Sequence, residues 1–275
     1  TAFPAARHIW PRYVISVQWY ARPEGDRHLL RVPPQLFSMD KADHPSQIRS
    51  REFVEDTADL IAGSRIDGRW ALRLDVGFPA DKNLLHQSDL DNYAYPLAAR
   101  LRDDRLVSVW CTKQHSDESY VRIEAARETS PALTDVIVAA PTASYAKPGG
   151  LYKKQVRAAV AGVPELRPGA VRLELVFVVG FTMNYLNLWK PTIDALGPIL
   201  GSDNSGREWS PDDGRITELG MHLAIDSTSP YGVRIGIAAS PASVVDIDDH
   251  RESTLKAQEH FACPNIADIQ YPCPP

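Results

Sequence analysis

Two acidic pairs give this 275-residue chain its chemical interest: Asp89-Leu90-Asp91-Asn92, and a little further on Asp103-Asp104-Arg105-Leu106-Val107. One pair opens what reads as a helix and the other leads into a strand, so their side chains can converge on one point. Three such carboxylates make a cradle for magnesium, a hard cation that takes oxygen ligands and commonly needs only a few from the protein. A cation held there would serve phosphodiester hydrolysis, by activating a water and relieving charge on the phosphorane and the leaving oxygen. Each pair also has a purely structural reading. Asp is a favoured N-cap whose charge suits a helix N-terminus, and Asp-Asp before a strand is a turn pair.

Other constellations say less. His260 and Cys263 are close but lack further ligands at zinc spacing. Asp246, Asp248 and Asp249 read as a solvated tail, with metal binding as the alternative. No Gly-x-Ser-x-Gly elbow and no phosphate-binding glycine loop is present. Lys153, Lys154 and Arg157 follow a Pro-Gly-Gly loop, and Arg100, Arg102 and Arg105 form a second basic cluster. Such clusters hold nucleic acid through its phosphates without reading bases, and equally make a wet helix face. Lys113 and its counterpart His222 read as strand residues within reach of backbone phosphate or solvent.

Hydrophobic period places these residues on elements. Tyr13 to Tyr20 alternates as a strand, and residues 25–49, with Pro33, Pro34 and Pro45, form a long loop. Ser50 caps a helix that Gly63 stops. Trp70, Leu72, Leu74 and Val76 alternate with Arg69, Ala71, Arg73 and Asp75, a strand with one buried face. A helix over Asp89 to Leu101 and strands over Leu106 to Cys111 and Tyr120 to Ala125 follow. From Thr134 the order returns: strand Val136 to Ala139, helix Tyr152 to Ala161, strand from Val171, helix Asn187 to Leu200, strands Arg215 to Ile225 and Val233 to Ala239. Leu60-Ile61-Ala62-Gly63 lies over Ala159-Val160-Ala161-Gly162, Val121-Arg122-Ile123 over Val233-Arg234-Ile235, and Asp103-Asp104 over Asp212-Asp213. Agreement of helix stop, strand phase and acidic pair in one order indicates a duplication, with an insertion between Leu196 and Pro211 in the second copy. A helix near Leu255 to His260 and a Pro-rich end lie outside the repeat.

Composition sets outer bounds. A formal net charge of -5 argues against a polycation that coats DNA, and permits one local basic face beside an acidic site. Cys111, Cys263 and Cys273 lack metal spacing and read as free thiols of a reducing compartment, with a Cys263–Cys273 pair as the alternative. The longest apolar stretch, Leu173 to Phe181, is broken by Glu174 and Gly180, so a soluble cytoplasmic protein without membrane contact is expected.

At Asn187-Leu188-Trp189-Lys190-Pro191-Thr192-Ile193-Asp194-Ala195-Leu196, followed by Asp212-Asp213-Gly214-Arg215-Ile216, the second copy resembles the RusA family of Holliday junction resolvases. That family's pattern is Asp-x-Asp-Asn-x-x-Lys at a helix start, a short apolar helix ending near Asp-Ala-Leu, then Asp-Asp-x-x-Ile or Val into a strand. The first copy matches the opening motif at Asp89-Leu90-Asp91-Asn92 and the closing one at Asp103-Asp104-Arg105-Leu106-Val107. The resemblance implies an α+β fold of two tandem RusA-like repeats, residues 1–130 and 131–240, paired as an internal pseudo-dimer, with a C-terminal extension over 241–275. It implies that Asp89, Asp91 and Asp104 hold Mg2+ and are the catalytic residues. Tyr95 stands at the family's lysine position; in copy two Asn184 and Leu186 replace the two Asp, while Lys190 and Asp213 remain. One active site, inside the first copy, is therefore expected. The implied function is a magnesium-dependent endonuclease of DNA repair or recombination that acts on branched or distorted DNA. Lys113, Lys153, Lys154, Arg157 and Lys190 would contact the nucleic acid, and a homodimer would be needed to cut two strands. The alternatives are a catalytically inactive module that binds DNA junctions or protein on the same fold, or a scaffold turned to a small molecule or another partner.

Overall fold

A computed structural model describes residues 17–37, 41, 43–64, 66–131, 136–142, 150–181, 183–203, 206–228 and 232–242. The segments read as a strand from Tyr13, a helix near Leu255, the acidic run from Asp246 and the Cys263–Cys273 pair lie wholly or largely outside these residues. In chain order the elements are β1 (Trp19–Tyr20), β2 (His28–Leu29), α1 (Pro45–Ile61), β3 (Trp70–Phe78), α2 (Leu90–Leu101), β4 (Leu106–His115), β5 (Tyr120–Ala125), β6 (Glu128–Thr129) and β7 (Val136–Thr142). There follow α3 (Leu151–Val160), β8 (Val171–Val179), α4 (Trp189–Ile193), α5 (Gly197–Leu200), β9 (Ile216–Ile225) and β10 (Val233–Pro241). Single 3-10 turns occupy Leu84–His86, Tyr185–Leu188, Asp194–Leu196 and Asp213–Arg215.

Several boundaries differ from the sequence expectation for local reasons. α1 starts at Pro45, a residue pre-set for the first helical position, with His44 rather than Ser50 as its cap. The helix expected over Asn187 to Leu200 is broken into α4, a 3-10 turn and α5, because Pro191 and Pro198 lack the amide an unbroken helix needs. Only Trp19–Tyr20 of the first expected strand forms a described strand, and it pairs with β6 away from the main sheet.

Eight strands form one mixed sheet in the order β2-β5-β3-β4-β9-β8-β10-β7. Outward from the central β4–β9 pair, both halves read alike: a parallel pair (β3/β4, β8/β9), then an antiparallel neighbour (β5, β10), then an antiparallel edge (β2, β7). Both parallel pairs carry a register irregularity at the same place, between Trp70 and Ala71 and between Val171 and Arg172. The edge strand of the first half is thus His28–Leu29, inside the stretch expected to be loop. The halves join antiparallel, and Trp110 pairs with Gly220, each the fifth residue of its strand. A Cβ on Gly220 would come within 2.9 Å of the Trp110 ring, so only one side of this central pair can be bulky. By the same count the position of Lys113 in β9 is Leu223; His222 corresponds to Thr112.

One continuous core covers the helix-bearing face. Leu72, Leu74, Val109 and Val121 of the first half join Leu173, Leu175, Phe177, Leu219 and Met221 of the second, beneath Phe53, Leu97, Trp189 and Ile199. Burying such side chains supplies roughly 1.5–3 kcal/mol each, so the two halves share their stability. The opposite face is also buried, against the expectation of a single buried face for β3, because its charges are paired. Asp75, fully buried, accepts from Arg73 Nε at 2.6 Å, Thr112 Oγ1 at 2.6 Å and Arg122 Nε at 3.1 Å. Paired in this way, a charge can sit where an isolated one would be prohibitive. Among the described residues no helix is long and apolar enough to cross a membrane.

Candidate functional site

Strand direction decides which acids can meet. β3 and β4 run parallel, so the chain leaving β3 enters α2, with Asp89 and Asp91, at the C-terminal end of that pair. Asp103-Asp104 precedes β4 and lies at the other end. β4 has ten residues, and at about 3.3 Å per residue its two ends are roughly 30 Å apart. β9, antiparallel to β4, delivers its own N-terminal end, with Asp213, beside the opening of α2. The sheet thus brings the first motif of one half to the last motif of the other.

Lys190 ties them together. Its Nζ is 3.1 Å from Asp89 Oδ2, 2.9 Å from Asp213 Oδ2 and 3.2 Å from Asp194 Oδ1. Asp194 also accepts from Lys153 Nζ at 2.9 Å. Asp89 holds the N-cap position of α2, yet its side chain makes no capping hydrogen bond. Its carboxylate turns to Lys190 instead, so the simple cap reading does not account for it. Asp91 is buried, and its Oδ1 has no hydrogen-bond partner. Burial pushes its carboxyl up to about 7; Lys190 pulls it down, and Asp89, Asp213 and Asp194 push it up. Asp213 is raised to about 6, by burial and by the charge of Asp89 and a hydrogen bond with it, against the pull of Lys190. Burial disfavours the Lys190 ammonium, but Asp91, Asp213 and Asp89 outweigh it and hold the pKa above the usual lysine range. A cleft of about 300 Å³, lined by Leu85, His86, Gln87, Asp212, Asp213 and Gly214 among others, touches this cluster at Asp213.

Two expected roles need correction. Asp104 is exposed in the turn before β4, and strand direction separates it from Asp89 and Asp91. Asp103 caps that turn, accepting from the Leu106 amide at 2.9 Å and Trp70 Nε1 at 3.0 Å. Lys113 is buried and donates to the carbonyls of Gln87 at 3.0 Å and Gly214 at 2.6 Å, so it fastens two loops at the mouth of the site. Burial brings its pKa down to about 8, against the raising effect of Asp89, Cys111, Asp213 and Asp212. Lys153 and Arg157 flank the Trp209 ring, with Arg157 donating to the Glu208 carbonyl, while Lys154 is exposed. The only trace of this cluster in the sequence is that Lys190 and Asp213 of the second half were singled out beside Asp89 and Asp91 of the first; that they meet was not readable.

Among the described residues no group of three or more His, Cys, Asp or Glu side chains is disposed to hold a metal ion. The Lys190 ammonium occupies the point between Asp89, Asp194 and Asp213. The acids of the cluster offer carboxylate oxygens, the donor type a hard cation takes, and the buried Oδ1 of Asp91 has no hydrogen-bond partner. No family model and no curated protein matches the chain.

Proposed function

We propose that this chain is a magnesium-dependent endonuclease acting on branched or distorted DNA, on a tandem RusA-like scaffold with one active site shared between its halves. The observation that carries the reading is Lys190 of the second half bridging Asp89 of the first and Asp213 of the second. The lysine missing from one half and the acidic pair missing from the other meet at one place. Asp89, Asp91 and Asp213 would hold Mg2+, which when bound supplies an activated water and relief of charge on the leaving oxygen. Lys190 offers its ammonium to the phosphorane. Asp194, itself held by Lys153, keeps that ammonium in place. Lys113 fixes the loop carbonyls that frame the entrance.

One site per chain cuts one strand, so the monomer nicks and a pair of chains is needed to resolve a junction. The test is a magnesium-dependent cleavage assay on four-way junction, flap and linear duplex DNA. Wild type is expected to nick the branched substrates, and Asp91→Asn and Lys190→Ala to lose about a hundredfold or more, the scale of removing one transition-state contact. The salt bridges Lys190 already makes favour a second reading, an inactive module that binds junctions. Wild type that binds junctions yet stays as inert as Asp91→Asn would establish that reading instead.

A further inference from the structure

We infer that the position related to this site by the symmetry of the sheet is a phosphate-holding DNA subsite that does not cleave, with Arg102 as its cation. The identity of the ligand rests on the nuclease reading; the site rests on its own contacts. The chain leaving β8 meets the N-terminal end of β4, as the chain leaving β3 meets that of β9. Asn184 sits at the N-cap of the Tyr185–Leu188 turn, as Asp89 does for α2. Counting on from these caps, Leu186 takes the place of Asp91 and Lys190 that of Tyr95.

Contacts across the halves recur here with different chemistry. Arg102 Nη1 donates to Asn184 Oδ1 at 2.6 Å, and Tyr95 Oη donates to Asn187 Oδ1 at 3.4 Å. The first site gathers four carboxylates around its ammonium. This one offers an amide, a buried Leu186 and a phenol, with Asp103 paired to Arg105 and Asp104 exposed nearby. Among the described residues Arg102 is exposed and tied to a neutral amide, not to a carboxylate. Loss of the two acids removes both metal ligation and the repulsion a phosphate would meet without a metal. A planar guanidinium held by one nitrogen matches the phosphodiester oxygens in its place. Phe181, three residues before Asn184, is 69% exposed and offers an aromatic face to an unstacked base. A junction with two-fold related strands would then have one strand cut and the other gripped.

The experiment is fluorescence anisotropy of a labelled four-way junction against sodium chloride, in EDTA, with wild type, Arg102→Ala and Arg102→Lys. Arg102→Ala is expected to weaken binding about three- to tenfold, and to lower the slope of log affinity on log salt by about one, the mark of one lost phosphate contact. Arg102→Lys should keep the slope, which a merely structural role for Arg102 would not require. Equal slopes for wild type and Arg102→Ala overturn the subsite and leave the nuclease reading untouched. A reduced slope in a wild type that never cleaves keeps the subsite and sinks the nuclease reading. Wild type with no salt-dependent affinity for the junction sinks both.

Discussion

Asp91 is the residue whose setting is hardest to explain by stability alone. A carboxylate 4% exposed, with an unpartnered oxygen and three other acids acting on it, weakens the fold that holds it, as functional groups often do. Asp91→Asn keeps the shape and removes the charge. It is expected to stabilise the metal-free protein by about 1–3 kcal/mol in urea denaturation, the size of relieving a poorly paired buried charge, and to slow nicking by about a hundredfold or more. A destabilised Asp91→Asn would mean that the attraction between the Asp91 charge and Lys190 outweighs the cost of burying it. At this scale the acid pair was legible because Asp-x-Asp at a helix start is local. The rotation of Asp89 away from capping was not, since the Lys190 that draws it lies in the other half.

At the scale of elements, two short turns decide the role of Lys113. On a strand with polar and apolar neighbours, a lysine looks like a solvated residue or a phosphate contact. Here the 3-10 turns at Leu84–His86 and Asp213–Arg215 close over it, and the carbonyls of Gln87 and Gly214 accept hydrogen bonds from its ammonium. Lys113→Met leaves two carbonyls unpaired and is expected to cost about 1–3 kcal/mol. It should slow nicking without changing the salt slope of DNA binding, whereas a phosphate contact would lower that slope by about one. Strand alternation and both proline breaks could be read from the chain. The burial of both faces of β3 could not, because Arg73, Asp75 and Arg122 look solvent-facing until cross-strand pairing neutralises them.

At the scale of the whole molecule, the polar face of the sheet ties stability to pH. His222 is fully buried, with Ser108 Oγ 3.0 Å from Nδ1 and Glu174 Oε2 3.4 Å from Nε2, under Trp19, Tyr20 and Trp110 and near Arg172. Burial lowers its pKa, partly countered by Glu174 and reinforced by Arg172. The unfolded chain therefore takes up this proton first. The stability His222 contributes is present above about pH 6.5, the ordinary histidine value, and is lost as pH falls below it. Denaturation midpoints at pH 8 and pH 5.5 should differ more for wild type than for His222→Gln; equal differences would remove His222 from the account.

The repeated element order was readable, because helix stops and strand phases recur. The antiparallel join of β4 to β9 was not, and it puts Asp213, in place of Asp104, beside Asp89; the proposed site takes its third acid from there. That reassignment is tested most directly by magnesium-dependent nicking of a four-way junction by Asp213→Asn beside Asp104→Asn. A site shared across the halves predicts about a hundredfold loss or more for Asp213→Asn and a rate within a few-fold of wild type for Asp104→Asn. An inert Asp104→Asn beside an active Asp213→Asn would contradict it.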